Sequence, residues 1–114
     1  MQRTFEWKAL GSAPDGFREY ALKGDCDLYG APAFMNDMIA GMSAGNCRLR
    51  FECSELRYLD STGVGAIIKL MQAAKANGGD IRFNGLAGTP RKVLTLCNVI
   101  RIIKEDRTER IPRS

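Results

Sequence analysis

Tyr58-Leu59-Asp60-Ser61-Thr62-Gly63-Val64-Gly65 is the stretch where an alternating apolar/polar run hands over to helical periodicity. An acid, two hydroxyls and two glycines stand together at that junction. A strand-to-helix handover exposes side-chain oxygens beside free backbone N–H groups and the positive end of a helix dipole. The segment therefore suits phosphate, either carried by a ligand or attached to a hydroxyl. The plainest reading is a capped helix, with Asp60 or Ser61 accepting a hydrogen bond from the first turn, a contribution of about 1 kcal/mol. Two glycines near a helix start cost roughly 1 kcal/mol each relative to alanine. Their presence suggests that another chain or group approaches closely.

Downstream, Val64, Ile67, Ile68 and Met71 recur at i, i+3, i+4, i+7 and predict a helix over residues 62–76, with Lys69 and Lys75 on other faces. Asn77-Gly78-Gly79 stops it. Residues 81–84 read as a strand, 85–89 as a loop, and Pro90 opens a third helix carrying Val93, Leu94 and Cys97. Val99, Ile100, Ile102 and Ile103 form a short apolar element. Upstream, residues 48–53 alternate with Leu49, Phe51 and Cys53 inward. Ala31-Pro32 begins a helix whose Phe34, Met35, Met38, Ile39 and Met42 read as ordinary core packing, ending at Gly45 or Asn46.

Two further strands precede it. Residues 4–10 place Phe5, Trp7 and Ala9 on one face, and residues 17–23 place Arg18, Tyr20 and Leu22 together. The turn-rich residues 11–16 join them as a hairpin, and Gly24-Asp25-Cys26-Asp27 breaks the second strand. A hairpin followed by alternating helices and strands predicts an α/β fold: a mixed, mostly parallel sheet with helices covering at least one face. Residues 1–104 form the domain and 105–114 a charged tail, frayed or briefly helical.

Composition narrows the chemistry. A chain of 114 residues, 45% hydrophobic and 26% charged, supports one modest core. It contains no histidine, which excludes Ser–His and Cys–His nucleophile pairs and histidine bases within this chain. Cys26, Cys47, Cys53 and Cys97 form no CxxC pair, and zinc without histidine would need nearly all of them. Each lies beside apolar residues and reads as a small, reduced, buried hydrophobe, which points to the cytoplasm. No metal and no cofactor is expected. No apolar run approaches the roughly 20 residues that cross a bilayer, and no basic-then-apolar leader opens the sequence. The net charge of +4 comes from scattered Lys and Arg with no aromatic-interleaved stripe, so direct nucleic-acid binding is not expected.

Spacing excludes familiar motifs. An aspartic-protease signature puts Asp directly before Ser/Thr-Gly, and Asp60-Ser61-Thr62-Gly63 has one residue too many. Gly63-Val64-Gly65-Ala66-Ile67-Ile68 begins like a dinucleotide-binding turn. However, Ile68 fills the third small position, and Asn84 stands where an acid is needed.

The run Asp60-Ser61-Thr62-Gly63-Val64-Gly65, with its helix, Gly78-Gly79 and a strand, closely resembles the bacterial anti-sigma factor antagonist family, a branch of the STAS domains. Gly24-Asp25-Cys26-Asp27 ahead of Ala31-Pro32 is similar to that family's second signature, with Asp25 in place of the usual Glu. Pro90-Arg91-Lys92-Val93-Leu94 also falls in place, whereas Cys97-Asn98-Val99 lacks the family's usual glycine. The resemblance implies a four- or five-stranded mixed sheet with helices mainly on one face. It further implies that Ser61, or failing that Thr62, accepts phosphate, and that Asp27, Asp60, Ser61, Thr62, Gly63, Val64 and Gly65 meet the partner.

That partner would be an anti-sigma factor that is itself a serine kinase with a histidine-kinase-like ATPase fold. A metal-dependent serine phosphatase would reverse the modification. The unphosphorylated chain would bind the kinase and free a sigma factor, acting as a substrate rather than an enzyme. A second class of function is a STAS module that binds a small anionic or lipid-like ligand, or serves as a subunit of a transporter or larger signalling complex, with Ser61 as an unmodified cap.

Overall fold

The structure is a computed structural model, and it describes residues 4–106. Its elements run β1 (Phe5–Ser12), β2 (Arg18–Cys26), α1 (Ala31–Ser43), β3 (Arg48–Leu59), α2 (Ser61–Ala76), β4 (Asp80–Asn84) and α3 (Gly88–Leu96). The sheet order is β1-β2-β3-β4, with β1 antiparallel to β2 and the other pairs parallel. This is the expected mixed sheet at the four-strand count.

Register explains the layering. Tyr20 lies opposite Phe51, and Phe51 opposite Phe83, so this row of aromatics shares one face. All three helices bury their apolar stripes against that face: Phe34, Met38 and Met42 from α1, Val64, Ile67 and Leu70 from α2, and Leu94 from α3. Phe34 is the hub, with ring centroids 5.3 Å from Phe5 and 5.4 Å from Trp7 and from Phe51. Truncating so buried an aromatic costs about 3–5 kcal/mol. The Met-bearing face of α1 is core, as expected, except that Ile39 is exposed.

The opposite face of the sheet carries charge. Phe17 is buried there with the guanidiniums of Arg48 and Arg50 each 4.7 Å from its ring centroid. Arg50, only 7% exposed, is held by Asp15 at 2.5 Å, Glu19 at 2.8 Å and Asp106 at 2.8 Å. Burial of an arginine is tolerable only with such partners.

Several boundaries differ from the sequence reading. β2 does not break at Gly24 but continues to Cys26, because Gly24 adopts φ +97° and turns the strand through a register shift. β3 does not stop at residue 53 but runs to Leu59 for the same reason: a second register shift lies between Ala21 and Lys23 of β2. Cys97 is exposed rather than inward, since α3 ends at Leu96 and the helical phase is lost. Cys47 is half-buried, and only Cys26 and Cys53 are buried.

Asn98 takes φ +62°, the left-handed conformation that asparagine tolerates better than most residues. It thereby fills the position where the resemblance led one to look for glycine. Glu105 and Asp106, assigned to the tail by sequence, lie against β4: Phe83 N donates to Lys104 O at 2.9 Å, and Asp106 N donates to Phe83 O at 2.9 Å. The rest of the expected tail, residues 107–114, lies outside the described residues.

Candidate functional site

The site forms where the C-terminal ends of β2 and β3 meet the start of α2. Asp60 caps α2 in an extended conformation, and its Oδ1 accepts a hydrogen bond from Gly63 N at 3.0 Å. Its Oδ2 accepts from Leu28 N at 3.2 Å. One carboxylate therefore ties the helix start to the β2–α1 loop, 32 residues away in sequence. Asp60 N also donates to Cys26 O at 3.3 Å. Asp27 organises the loop itself: its Oδ1 accepts from Tyr29 N at 3.0 Å and Gly30 N at 3.2 Å. The two acidic loops are thus brought together.

Ser61 and Thr62 follow the cap in the first turn of α2, and both are exposed. An exposed hydroxyl in that turn lies beside backbone N–H groups without intrahelical acceptors. Added negative charge is favoured there by the dipole and opposed by the neighbouring Asp60 carboxylate.

The two glycines separate in role. A Cβ on Gly63 would collide with the Cys26 carbonyl oxygen and stand 2.7 Å from Leu59 Cδ1, so Gly63 serves the close approach of this chain to itself. A Cβ on Gly65 would meet nothing within 4 Å. Of the close approach by another chain or group expected at the two glycines, Gly63 has one from the Cys26 backbone and Gly65 has none within the chain. Val64 is 6% exposed and Asp27 4% exposed, so these two act from beneath the surface as core and loop brace.

Sequence reading missed the most exposed apolar pair of the site. Leu28 is 55% exposed and Tyr29 80% exposed, in the loop that Asp60 grips. The signal was available: two large apolar residues directly after Asp27, in a segment assigned to no element. Exposed apolar residues are common singly, and it is larger contiguous patches that mark interaction surfaces.

Cys26 lies under the same loops. Burial, with the nearby Asp60 and Asp27 charges, pushes its thiol up to about 12, so it stays protonated and unreactive. Among the described residues, no group of three or more His, Cys, Asp or Glu could hold a metal ion, and no helix is long and apolar enough to cross a membrane.

The architecture is a one-sided α/β domain that displays two hydroxyls at the start of its central helix. The STAS domain model matches residues 12–110, and the chain belongs to that family. The anti-sigma-B factor antagonist of Bacillus subtilis (strain 168) is 26% identical over 66 residues, covering 58% of this chain and 60% of that protein. The match thus spans less than two thirds of that relative's length.

The fold is also similar to solved structures. An anti-sigma factor antagonist from Mycobacterium paratuberculosis superposes with a TM-score of 0.76 at 16% identity, covering 93% of this chain and 88% of that one. The anti-sigma factor antagonist SpoIIAA in its unphosphorylated form gives 0.73 at 18% identity, covering 93% and 90%.

Proposed function

We propose that this chain is an anti-sigma factor antagonist whose binding to an anti-sigma factor is switched by phosphorylation of Ser61. The observation that carries the reading is the exposed Ser61 next to Asp60, whose carboxylate locks the helix start to the β2–α1 loop. Ser61 is the acceptor, with Thr62 the alternative hydroxyl. The B. subtilis relative's name supports the role, and the shared fold is compatible with it.

The partner in this reading is a serine kinase of histidine-kinase-like ATPase fold, and a metal-dependent phosphatase reverses its action. The kinase supplies Mg-ATP and the catalytic carboxylate, so this chain needs no base and acts as a cytoplasmic substrate. The unmodified surface combines Ser61 and Thr62 with the apolar Leu28–Tyr29 pair. Phosphorylation adds about −1.5 to −2 charges at pH 7. The positive end of α2 keeps the fold intact, while the charge beside Asp60 repels an acidic catalytic site. A loss of about 3–4 kcal/mol at the interface weakens binding by two to three decades, enough for a switch without refolding.

The test is intact mass and peptide mapping after incubation with Mg-ATP and candidate kinases. A single phosphate on Ser61 is expected. Ser61→Ala should bind the kinase constitutively, and Ser61→Asp should fold but bind poorly. A Ser61→Ala protein that the same kinase still phosphorylates would overturn the assignment.

A further inference from the structure

We propose that a polar pocket at the end of the sheet opposite Ser61, lined by Arg18 and Arg48, binds a small tetrahedral oxyanion. The anion would be inorganic phosphate or the phosphate of a small phosphomonoester. The cavity, about 270 Å³, opens where β2 and β3 begin and where the α2–β4 turn passes over them. Its walls include Ser12, Arg18, Asn46, Arg48, Asn77 and Gly78, two arginines and no carboxylate.

The arginines here differ from most others in the fold. Arg50, Arg57, Arg82 and Arg91 each face a carboxylate. Among the described residues, Arg18 and Arg48 form no ion pair. Arg18 Nε is, in addition, the one buried side-chain nitrogen or oxygen among the described residues without a hydrogen-bond acceptor. A buried donor without an acceptor is costly, and in native proteins it usually has a ligand, ion or water to account for it.

Neutralising the C-terminal ends of α1 and α2 does not explain the pair. The last carbonyls there are already capped by backbone: Gly41 O accepts from Ala44 N and Asn46 N, and Ala74 O accepts from Asn77 N and Gly79 N. Lys75 O likewise accepts from Gly78 N.

The chemistry of the walls selects the ligand. A guanidinium offers a planar fork of N–H donors that matches phosphate oxygens. Arg48 is steadied over the Phe17 ring, 4.7 Å from its centroid. Ser12, Asn46 and Asn77 supply neutral donors at the rim. The cavity lies below the roughly 300 Å³ at which drug-sized sites begin, which suits a compact anion. The site also gives a local use to part of the +4 net charge.

The test is an amide NMR titration of the whole chain with inorganic phosphate, at fixed pH and ionic strength against sodium chloride, with glycerol 3-phosphate in a parallel arm. Saturable shifts are expected at residues 12–18, 45–48 and 77–78. Arg18→Gln and Arg48→Gln should each weaken binding by about tenfold or more. Arg48 is exposed, so Arg48→Gln decides the matter should Arg18→Gln fail to fold. Tighter binding of glycerol 3-phosphate identifies a phosphomonoester as the ligand, and equal binding identifies the phosphate group alone. Shifts that merely follow chloride, that map to the start of α2, or that survive Arg48→Gln would overturn the proposal.

Discussion

Gly63→Ala and Gly65→Ala form an internal experiment on the start of α2. The two positions lie two residues apart in the same helix, so intrinsic propensity favours alanine at both by up to about 1 kcal/mol. Packing separates them. At Gly63 the added methyl collides with the Cys26 carbonyl, which is backbone and cannot rotate aside, and stands 2.7 Å from Leu59 Cδ1. Relief requires the first turn of α2 to lift, stretching the 3.3 Å Asp60 N–Cys26 O bond and the 3.2 Å Leu28 N–Asp60 Oδ2 bond. Overpacking of this kind costs about 1–3 kcal/mol. Gly63→Ala should therefore be destabilised by about 1–2 kcal/mol net, while Gly65→Ala, with open space around it, should gain about 0.5–1 kcal/mol. With a urea m-value of about 1–3 kcal/mol/M, that difference of about 1.5–3 kcal/mol should separate the two midpoints by about 0.5–3 M. Urea melts followed by circular dichroism measure this directly. A Gly63→Ala protein as stable as the parent would refute the close-approach reasoning, as would two variants with equal midpoints.

Tyr29→Ala, at a position 80% exposed, should shift stability by less than about 0.5 kcal/mol. Under the proposed function it should nevertheless weaken binding to an anti-sigma factor about tenfold in calorimetry; unchanged affinity would remove the loop from the proposed interface. Thiol titration of the native protein should label exposed Cys97 first and leave buried Cys26 and Cys53 untouched until denaturant is added; rapid native labelling of Cys26 would contradict its burial. Arg50→Met should cost about 2–3 kcal/mol at pH 7, less than the loss of a fully buried pair, by removing the guanidinium that Glu19 and Asp106 both bind. It should also change the acid limb. The hydrogen bond from Arg50, and then that from Phe17 N, hold Asp15 below its ordinary 3.8. A carboxyl whose folded pKa lies below its unfolded value stabilises above that value and loses the contribution as pH falls through the folded one. Stability of the parent should thus drop more steeply below about pH 4 than that of Arg50→Met, and parallel slopes in acid denaturation would count against the network.

Element order and the apolar stripe of α2 were legible because periodicity carries them. What misled was the place where periodicity slips. Cys53 and Leu56 both face the core with Ser54 and Glu55 between them, so β3 reads as ending when it is only bulged. Gly24 reads as a breaker for the same reason. Arg50, polar in an alternating strand, reads as solvated, yet a turn residue, a neighbouring strand and a distant Asp106 converge to bury it. At the start of α2, Asp60 was legible as one of two candidates for the cap. The grip of Asp60 on Leu28 N was not, since no local pattern reports a bond between residues 32 apart. The Arg18–Arg48 pocket escaped for a similar reason: its walls come from the end of β1, the turn after it, the first residues of β2 and β3, and the loops following α1 and α2.

The short pairing of residues 104–106 with β4 has a practical consequence. β4 is the last strand of the sheet, and without Lys104 and Asp106 its Phe83 N–H and C=O would face outward as a template for a foreign strand. Asp106 simultaneously reaches across the sheet to Arg50. These few residues act as a selvedge, a woven border that keeps the fabric from joining to its neighbour. Any shortened or fused version of the chain that is to stay monomeric in the test tube should keep the sequence through Asp106.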